Sequence, residues 1–203
     1  MRVECSIGIK VRPFIRDQTR EINELNRVYQ EGAVWDINYP QPAVSIWKKS
    51  LRSGSLLDVG CGSGTNALFL ANSGFCVTGI DVSMVAIQLA RQRAQLASQD
   101  IQFQLMAASH IELIGRVFDS VVESAVYHML KVQERKIYNR ALSKVLRAGG
   151  RLLSISLRPH HERFDDRVWK MISQKQGKYD LTGARSERAW VSIYEKRDLP
   201  TLH

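Results

Sequence analysis

The chain has 203 residues, 44% of them hydrophobic and 24% charged, which is the balance of one ordinary globular domain. No uncharged apolar run approaches the roughly 18 residues of a membrane span. The first fourteen residues are broken by Lys10, Arg12 and Pro13, so we expect neither a membrane anchor nor a signal peptide. Three cysteines without metal spacing fit a reducing compartment, and we expect a cytoplasmic protein.

The net charge of +9 is unevenly placed, because residues 131–203 hold 17 Lys or Arg against 8 Asp or Glu and the rest of the chain is balanced. A basic third can attract nucleic acid or an anionic substrate. Its basic residues are mostly isolated, however, and several stand at helix-face positions, so a solvated surface is the favoured interpretation.

The predicted elements begin with two helices. Apolar residues recur at helical spacing over residues 16–30, and Pro40 and Pro42 open a second helix over 45–49. These helices form an N-terminal lid, residues 1–50, on a core of residues 51–203. Without repeats, low-complexity tracts or linkers, residues 1–203 are predicted to form one domain.

From residue 55 onward, apolar runs of strand length alternate with helical patterns. We predict strands over 55–59, 75–80, 101–105, 118–123, 151–157 and 189–195, and helices over 64–73, 83–97, 137–149 and 164–173. Such alternation implies right-handed crossovers and a sheet covered on both faces. The predicted fold is α/β: a doubly wound, mostly parallel seven-stranded sheet with an antiparallel last strand and helices on both faces. One of its seven strands, in addition to these six, is not located by an apolar pattern.

A glycine-rich turn follows the first strand. Its glycines, Gly60, Gly62 and Gly64, alternate in the pattern Gly-x-Gly-x-Gly instead of the Gly-x-Gly-x-x-Gly of dinucleotide sites. Glycine lets the backbone turn with positive φ and approach a ligand closely, although such turns also serve tight strand–helix packing. Asp58, just ahead of the turn, suits a cationic ligand better than a pyrophosphate. Asp81 follows the second strand, where a carboxylate can accept hydrogen bonds from both hydroxyls of a ribose.

Residues 55–97 resemble the first two strand–helix units of the class I S-adenosylmethionine-dependent methyltransferases, and the resemblance extends over about residues 29–157. It implies that S-adenosylmethionine is the cofactor. The residues it places around the methionine part, the ribose and the adenine are Asp58, Gly60, Cys61, Gly62, Gly64, Asp81, Val82, Ala108, Ser109 and Glu123. The chain departs from the family in carrying Met106-Ala107-Ala108-Ser109 where an acid usually follows the third strand, and Ala148 where proline is usual.

The segment Val34-Trp35-Asp36-Ile37-Asn38-Tyr39-Pro40-Gln41-Pro42 resembles an element of small-molecule methyltransferases of the thiopurine, halide and chalcogen types. In that group it covers the cofactor and helps to form the acceptor pocket. Trp35 and Tyr39 are therefore the predicted substrate-binding residues, in a proline-stiffened wall that excludes water. The alternative is that Trp35 only fastens the first helix to the sheet.

His128 and Tyr127, after the fourth strand, are the candidate catalytic residues, with His128 as a base and Tyr127 as wall or donor. His128 could equally cap the next helix. His110 is a weaker candidate, and His160 and His161 have no metal-type cluster nearby, so no metal is predicted.

The predicted partner is a small-molecule methyl acceptor. A nucleic-acid methyltransferase using the basic C-terminal third is less favoured, since no Pro-Pro-aromatic signature follows the fourth strand. A cofactor-binding protein without catalysis also stays open. The glycine spacing and Asp58 disfavour a nicotinamide oxidoreductase.

Overall fold

A computed structural model of the chain describes residues 13–158 and 164–198. Two helices come first, α1 (Pro13–Glu31) and α2 (Pro42–Trp47). The core then runs through β1 (Ser55–Val59), α3 (Thr65–Asn72), β2 (Cys76–Asp81), α4 (Met84–Leu96), β3 (Gln102–Leu105), β4 (Phe118–Ser124), α5 (Val132–Val145), β5 (Leu146–Ser156), β6 (Trp169–Leu181) and β7 (Arg185–Lys196). Short 3-10 helices span Lys48–Ser50, Ala108–Ile114 and Tyr127–Met129.

The strands form one seven-stranded sheet in the order β3-β2-β1-β4-β5-β7-β6. β1 pairs in parallel with β2 and β4, and β7 pairs antiparallel with both β5 and β6. The predicted fold, including its antiparallel last strand, is confirmed. The winding reverses between β1 and β4, so the loops after these strands lie where doubly wound sheets bind ligands.

The sheet is covered on both faces because successive residues of its central strands point to opposite sides. Leu56 belongs to one buried cluster with residues of α2, α3 and α4, whereas Leu57 belongs to a second cluster with residues of α5. Both leucines are fully buried. The short strand β1, which leads into the glycine turn, is therefore packed on both of its faces.

Two predicted elements were wrong. The helix predicted over 164–173 is absent, and β6 occupies its second half, because pairing with β7 from Trp169–Lys196 to Leu181–Arg185 decides the conformation of this polar, mostly exposed edge segment. The predicted helix over 137–149 ends at Val145, and β5 begins at Leu146, opposite Phe118 of β4. The next pair in the ladder is Ser120 with Arg151, so β5 must bulge between the two pairs. Gly149 permits this bulge with φ of +70°.

In the described ranges, 13–158 and 164–198, no helix is long and apolar enough to span a bilayer. The prediction on His160 and His161 and most of that on residues 1–14 lie outside those ranges.

Candidate functional site

The glycine turn joins β1 to α3 in a left-handed conformation. Gly60, Gly62 and Gly64 have φ of +68°, +55° and +86°, values that residues with a Cβ rarely adopt. Two side chains lie directly against it. A Cβ on Gly60 would overlap Val126 Cγ2, and one on Gly62 would stand 2.7 Å from the hydroxyl of Tyr29. One on Gly64 would instead meet side chains of α4 and β3 at 3.0 and 3.1 Å, so this glycine allows close strand–helix packing. The turn is thus a cradle in which Gly60 and Gly62 leave no room for a larger residue.

Asp58 lies beneath this cradle, fully buried. Neither of its carboxylate oxygens has a hydrogen-bond partner in the described part of the chain. Burial, with a smaller contribution from the negative charge of Asp81, raises the pKa of Asp58 to about 7. An ionised carboxylate in such a place is unfavourable unless it is paired with a positive charge. The site therefore fits a ligand that carries a cationic group.

Asp81 ends β2 and connects the glycine turn to the next helix. Its Oδ2 accepts a hydrogen bond from the N–H of Gly62 at 3.0 Å, and its Oδ1 accepts one from the N–H of Ser83 at 2.8 Å. Burial raises the pKa of Asp81, and these backbone hydrogen bonds oppose the increase. Each carboxylate oxygen has a second lone pair, so Asp81 can still accept hydrogen bonds from hydroxyl groups of a ligand.

The adenine-side candidates follow β2 and β3, whose carboxyl ends are paired through Asp81 and Leu105. Val82 is partly exposed next to Asp81, and Ala108 is buried at the start of a 3-10 helix. Ser109 is partly exposed, and its hydroxyl lies 3.0 Å from Nδ1 of His110. All of these residues lie along one edge of the sheet, and their contacts with adenine stay a prediction.

Helix α1 lies over the glycine turn and the loop after β2. Asn26 Oδ1 accepts hydrogen bonds from the hydroxyl of Ser83 at 2.8 Å and from the N–H of Val85 at 3.3 Å. The hydroxyl of Tyr29, which touches Gly62, accepts a hydrogen bond from Trp35 Nε1 at 3.1 Å, and the two rings meet edge to face. Tyr29 is therefore a site residue that the sequence analysis missed, although its helical spacing was recognised.

The two predicted wall residues lie in different places. Trp35 packs on Tyr29, whereas Tyr39 is 44% exposed and donates a hydrogen bond to the Asp180 carboxylate in β6 at 3.3 Å. The side chain of Gln41 pairs with the Asp180 backbone, donating to its carbonyl at 2.9 Å and accepting from its N–H at 2.8 Å. The segment that carries both wall residues thus connects the lid to the edge strand, and of the two only Trp35 lies beside Tyr29, which contacts the glycine turn.

Beyond β4, the chain turns sharply at Ala125, which has φ of +63°. Glu123 is fully buried and holds this turn: Oε2 accepts from the N–H groups of Val126 at 3.3 Å and Tyr127 at 3.0 Å, and Oε1 accepts from the hydroxyl of Ser154. These protein contacts explain its place in the fold. A direct role in cofactor binding, as the resemblance implied, stays a prediction.

The two candidate catalytic residues differ in environment. The ring of Tyr127 is buried among Tyr138 and Phe164, and its hydroxyl accepts a hydrogen bond from Asn139 Nδ2 at 3.2 Å. His128 is only partly buried, with Nδ1 3.4 Å from the hydroxyl of Ser156 at the end of β5. The contacts of Tyr127 favour a packing role, and a role of His128 as the base stays a prediction.

Tyr179 of β6 is a second residue that the sequence analysis missed. It is buried and lies beside Ser124 at the end of β4. The negative charge of Asp58 is close enough to contribute to the raised pKa of Tyr179. Burial is the main reason that the pKa of Tyr179 is raised to about 12. No sequence signal was available, because β6 has no apolar alternation to identify it as a strand.

Among the described residues, no group of three or more His, Cys, Asp or Glu side chains is arranged to hold a metal ion.

Comparison with known proteins identifies relatives of similar sequence and fold. Residues 56–150 match the family of the methyltransferase domain. A solved structure from work on the conversion of a disulfide bond into a thioacetal group during echinomycin biosynthesis superposes with a TM-score of 0.76 at 24% identity, over 87% of this chain and 93% of that one. A Burkholderia thailandensis 1,6-didemethyltoxoflavin-N1-methyltransferase, with 1,6-didemethyltoxoflavin and S-adenosylhomocysteine bound, superposes with a TM-score of 0.65 at 17% identity, over 91% and 88%.

A curated relative is similar in sequence as well. The 2-heptyl-1-hydroxyquinolin-4(1H)-one methyltransferase of Mycobacteroides abscessus is 28% identical over 117 residues, which are 57% of this chain. The match spans about half, 52%, of that relative's length. Residues 56–150 are thus identified as a class I S-adenosylmethionine-dependent methyltransferase domain, as the glycine turn and Asp81 predicted. With the family, its cofactor, S-adenosylmethionine, is confirmed.

Proposed function

We propose that this protein transfers the methyl group of S-adenosylmethionine to a small-molecule acceptor. The observation that carries the proposal is Asp58, a fully buried carboxylate without a hydrogen-bond partner in the described chain, directly beneath a left-handed glycine cradle. A ligand with a cationic group and a ribose, and without phosphate, satisfies both Asp58 and Asp81.

When bound, S-adenosylmethionine supplies a methyl group on a positively charged sulfur. Asp58 offers a counter-charge for the cationic part of the ligand, and Asp81 accepts hydrogen bonds from the ribose hydroxyls. Gly60 and Gly62 let the backbone approach the methionine part without a Cβ in the way. The chemistry that the cofactor would supply is a displacement at its methyl carbon, in which the acceptor would form the new bond and the electron pair of the broken methyl–sulfur bond would stay on sulfur.

The protein contributes mainly alignment and exclusion of water. Trp35 and Tyr29 form an aromatic cover on the glycine turn, held by the hydrogen bond between them. Alignment of two reactants in a water-poor site accounts for a large part of the rate of such a displacement.

Proton removal depends on the acceptor. A thiol ionises readily and reacts as the thiolate, whereas a hydroxyl or a neutral amine must lose a proton during or after transfer. We assign the removal of that proton to His128, because its imidazole is partly exposed at the carboxyl end of the sheet and its Nδ1 is close to the Ser156 hydroxyl. Tyr127 supports the same loop through its buried ring.

A small molecule is favoured over RNA as the acceptor on two grounds. The lid places Tyr29 on the glycine turn with Trp35 hydrogen-bonded to it, so that aromatic side chains cover the site. The relatives described above include enzymes named for a hydroxyquinolone and for a toxoflavin precursor, both small molecules. The cytoplasmic location and the single domain predicted from the sequence stay predictions.

The test is transfer of a labelled methyl group from S-adenosylmethionine to pooled thiols, phenols, N-hydroxy compounds and amines, with total RNA as a parallel arm. We expect label in a small molecule. Label only in RNA, together with RNA binding that weakens steeply as salt is raised, would overturn the small-molecule assignment. No label in any pool and no binding of S-adenosylhomocysteine would overturn the methyltransferase itself.

A further inference from the structure

The loop that follows α1 is tied to the glycine turn by one arginine. Arg93 of α4 contacts both oxygens of Asp36, with Nη1–Oδ1 at 2.9 Å and Nη2–Oδ2 at 3.1 Å. The same Nη1 donates to the hydroxyls of Ser63 and of Thr65, the latter at 3.0 Å. The hydroxyl of Ser63 donates in turn to Asp36 Oδ1. A single guanidinium thus joins the lid, the glycine turn and α4.

This cluster differs from an ordinary surface ion pair. Exposed pairs contribute little, because water screens them and holding two long side chains in place has an entropic cost. Here the contact is bidentate, the Asp36 side chain is only 14% exposed and that of Arg93 35%, and two hydroxyls complete the network. Bidentate, charge-assisted hydrogen bonds fix geometry as well as contribute energy.

The two residues joined by Arg93 each stand next to a part of the cofactor site. Ser63 lies between Gly62 and Gly64, so its side-chain hydrogen bonds restrain the most flexible part of the cradle. Asp36 follows Trp35, whose indole holds the Tyr29 hydroxyl against Gly62. Neighbouring contacts support the same loop, since Thr65 donates to the carbonyl of Ile37 at 3.1 Å.

We propose that Asp36 and Arg93 form a latch that closes the lid on the glycine turn and thereby sets how tightly, and for how long, the cofactor is held. They act as positioning residues, through Ser63, Trp35 and Tyr29. The inference rests on the proposed function, since it concerns the same cofactor site.

The experiment measures binding of S-adenosylhomocysteine by calorimetry and its release rate by competition, without any acceptor. We expect Asp36→Asn and Arg93→Gln each to weaken binding about tenfold to a hundredfold, mainly through faster release, as for a lost charge-assisted hydrogen bond. Arg93→Lys keeps the positive charge and loses the bidentate guanidinium group. Its affinity for S-adenosylhomocysteine should therefore lie between those of wild type and Arg93→Gln. The double variant should bind S-adenosylhomocysteine no more weakly than the weaker-binding single variant, because both changes open the same latch.

A matched control is Arg147→Gln. Arg147 forms a 2.9 Å ion pair with Asp119, at the opposite, amino end of β4, and is itself 52% exposed. This variant should bind S-adenosylhomocysteine like wild type. Melting temperatures of all unliganded variants separate a positioning role from loss of the fold, because a latch changes release far more than melting.

Hydrogen exchange gives a second readout. In wild type, binding should slow exchange of the α1 amides in residues 20–30, and in Asp36→Asn this protection should be lost while that of the central strands is kept. Wild-type release rates in both latch variants would overturn the latch, as would a loss of affinity that simply follows a loss of melting temperature. Failure of wild type to bind would instead overturn the proposed function.

Discussion

The two halves of the sheet's carboxyl edge are built differently. On the β1–β2 side, the backbone conformation of the cradle is set by residues close in the chain, to which the lid adds its contacts: three glycines with positive φ lie within five positions, and a hydrogen bond from Gly62 to Asp81 spans 19 residues. On the β4–β6 side, the contacts join distant segments. Gln41 pairs with Asp180 across 139 residues, and Glu123 with Ser154 across 31.

The difference separates two tasks. A site formed by backbone conformation tolerates few residue types, because glycine alone adopts the required φ values without strain. A site formed by side chains from distant segments can change one contact at a time. We infer that the first half holds the common cofactor and that the second half adapts the protein to its acceptor, so changes in the two halves should affect different measured quantities.

The strongest test of the first half is Gly62→Val, which should abolish binding of S-adenosylhomocysteine. Its side chain would fill the cradle at a position with φ of +55°.

A pair of variants with a smaller change at Gly62 tests the contact between the lid and the glycine turn. The Cβ of Gly62→Ala would meet the Tyr29 hydroxyl at 2.7 Å, but the next ring atom, Cζ, is at 3.6 Å. Tyr29→Phe should therefore restore part of the stability lost in Gly62→Ala, by thermal melting. Normal binding by Gly62→Val would mean that the turn is purely structural.

In the second half, His128→Ala should lower turnover by about two to four orders of magnitude if the acceptor is a hydroxyl or neutral amine. Affinity for S-adenosylhomocysteine should hardly change, because His128 lies beyond β4, beside Ser156 at the end of β5. The pH–rate profile of the wild type should have an acidic limb that the variant loses. An unchanged profile with a lower melting temperature would show that His128 only supports its loop, and a thiol acceptor should give a much smaller effect.

Asp81→Ala should weaken binding of S-adenosylhomocysteine by about 1.5–3 kcal/mol, as expected for the loss of hydrogen bonds to a charged group. Part of this loss comes from the Gly62 and Ser83 N–H groups, which Asp81 accepts from. Asp81→Asn separates the contributions, since it keeps one carbonyl oxygen and loses the charge. Calorimetry measures both variants, and unchanged affinity in both would exclude Asp81 from the ribose site.

The last expected effect is on stability instead of binding: a pH dependence that arises from Asp58. Its pKa is about 7 in the folded protein, above the ordinary value of 3.8, so the folded state holds this proton more tightly than the unfolded state. Stability should therefore fall as pH rises from about 4 to about 7, and level off above that. The raised pKa of Asp81 acts in the same direction.

Asp58→Asn should reduce this slope in melting experiments between pH 5 and about 8. S-adenosylhomocysteine should also reduce it, because its ammonium group pairs with the ionised carboxylate. A slope that neither change alters would mean that Asp58 ionises freely in the folded protein.

The sequence by itself determined the part of the molecule that follows local rules. Short, mainly apolar segments predicted β1 and β2, and alternating glycines predicted the left-handed turn, because φ preferences act within single residues. Asp58 and Asp81 lie at one edge of the sheet because parallel strands bring their carboxyl ends together, and their contacts with the cofactor stay predictions. The lid helix α1 was also predicted, from its helical spacing.

Only the tertiary structure decided what depends on pairing between distant segments. β6 is a polar edge strand that is stabilised by its hydrogen bonds to β7. Its residues show no apolar alternation, so the strand was not predicted and Tyr179 could not be identified as a site residue. Leu146 starts β5 where periodicity favoured helix, because pairing with Phe118 outweighs local propensity. The contact of Tyr29 with Gly62 and the grip of Arg93 on Asp36 and Ser63 likewise follow from how the lid packs, a long-range property that residue patterns do not encode.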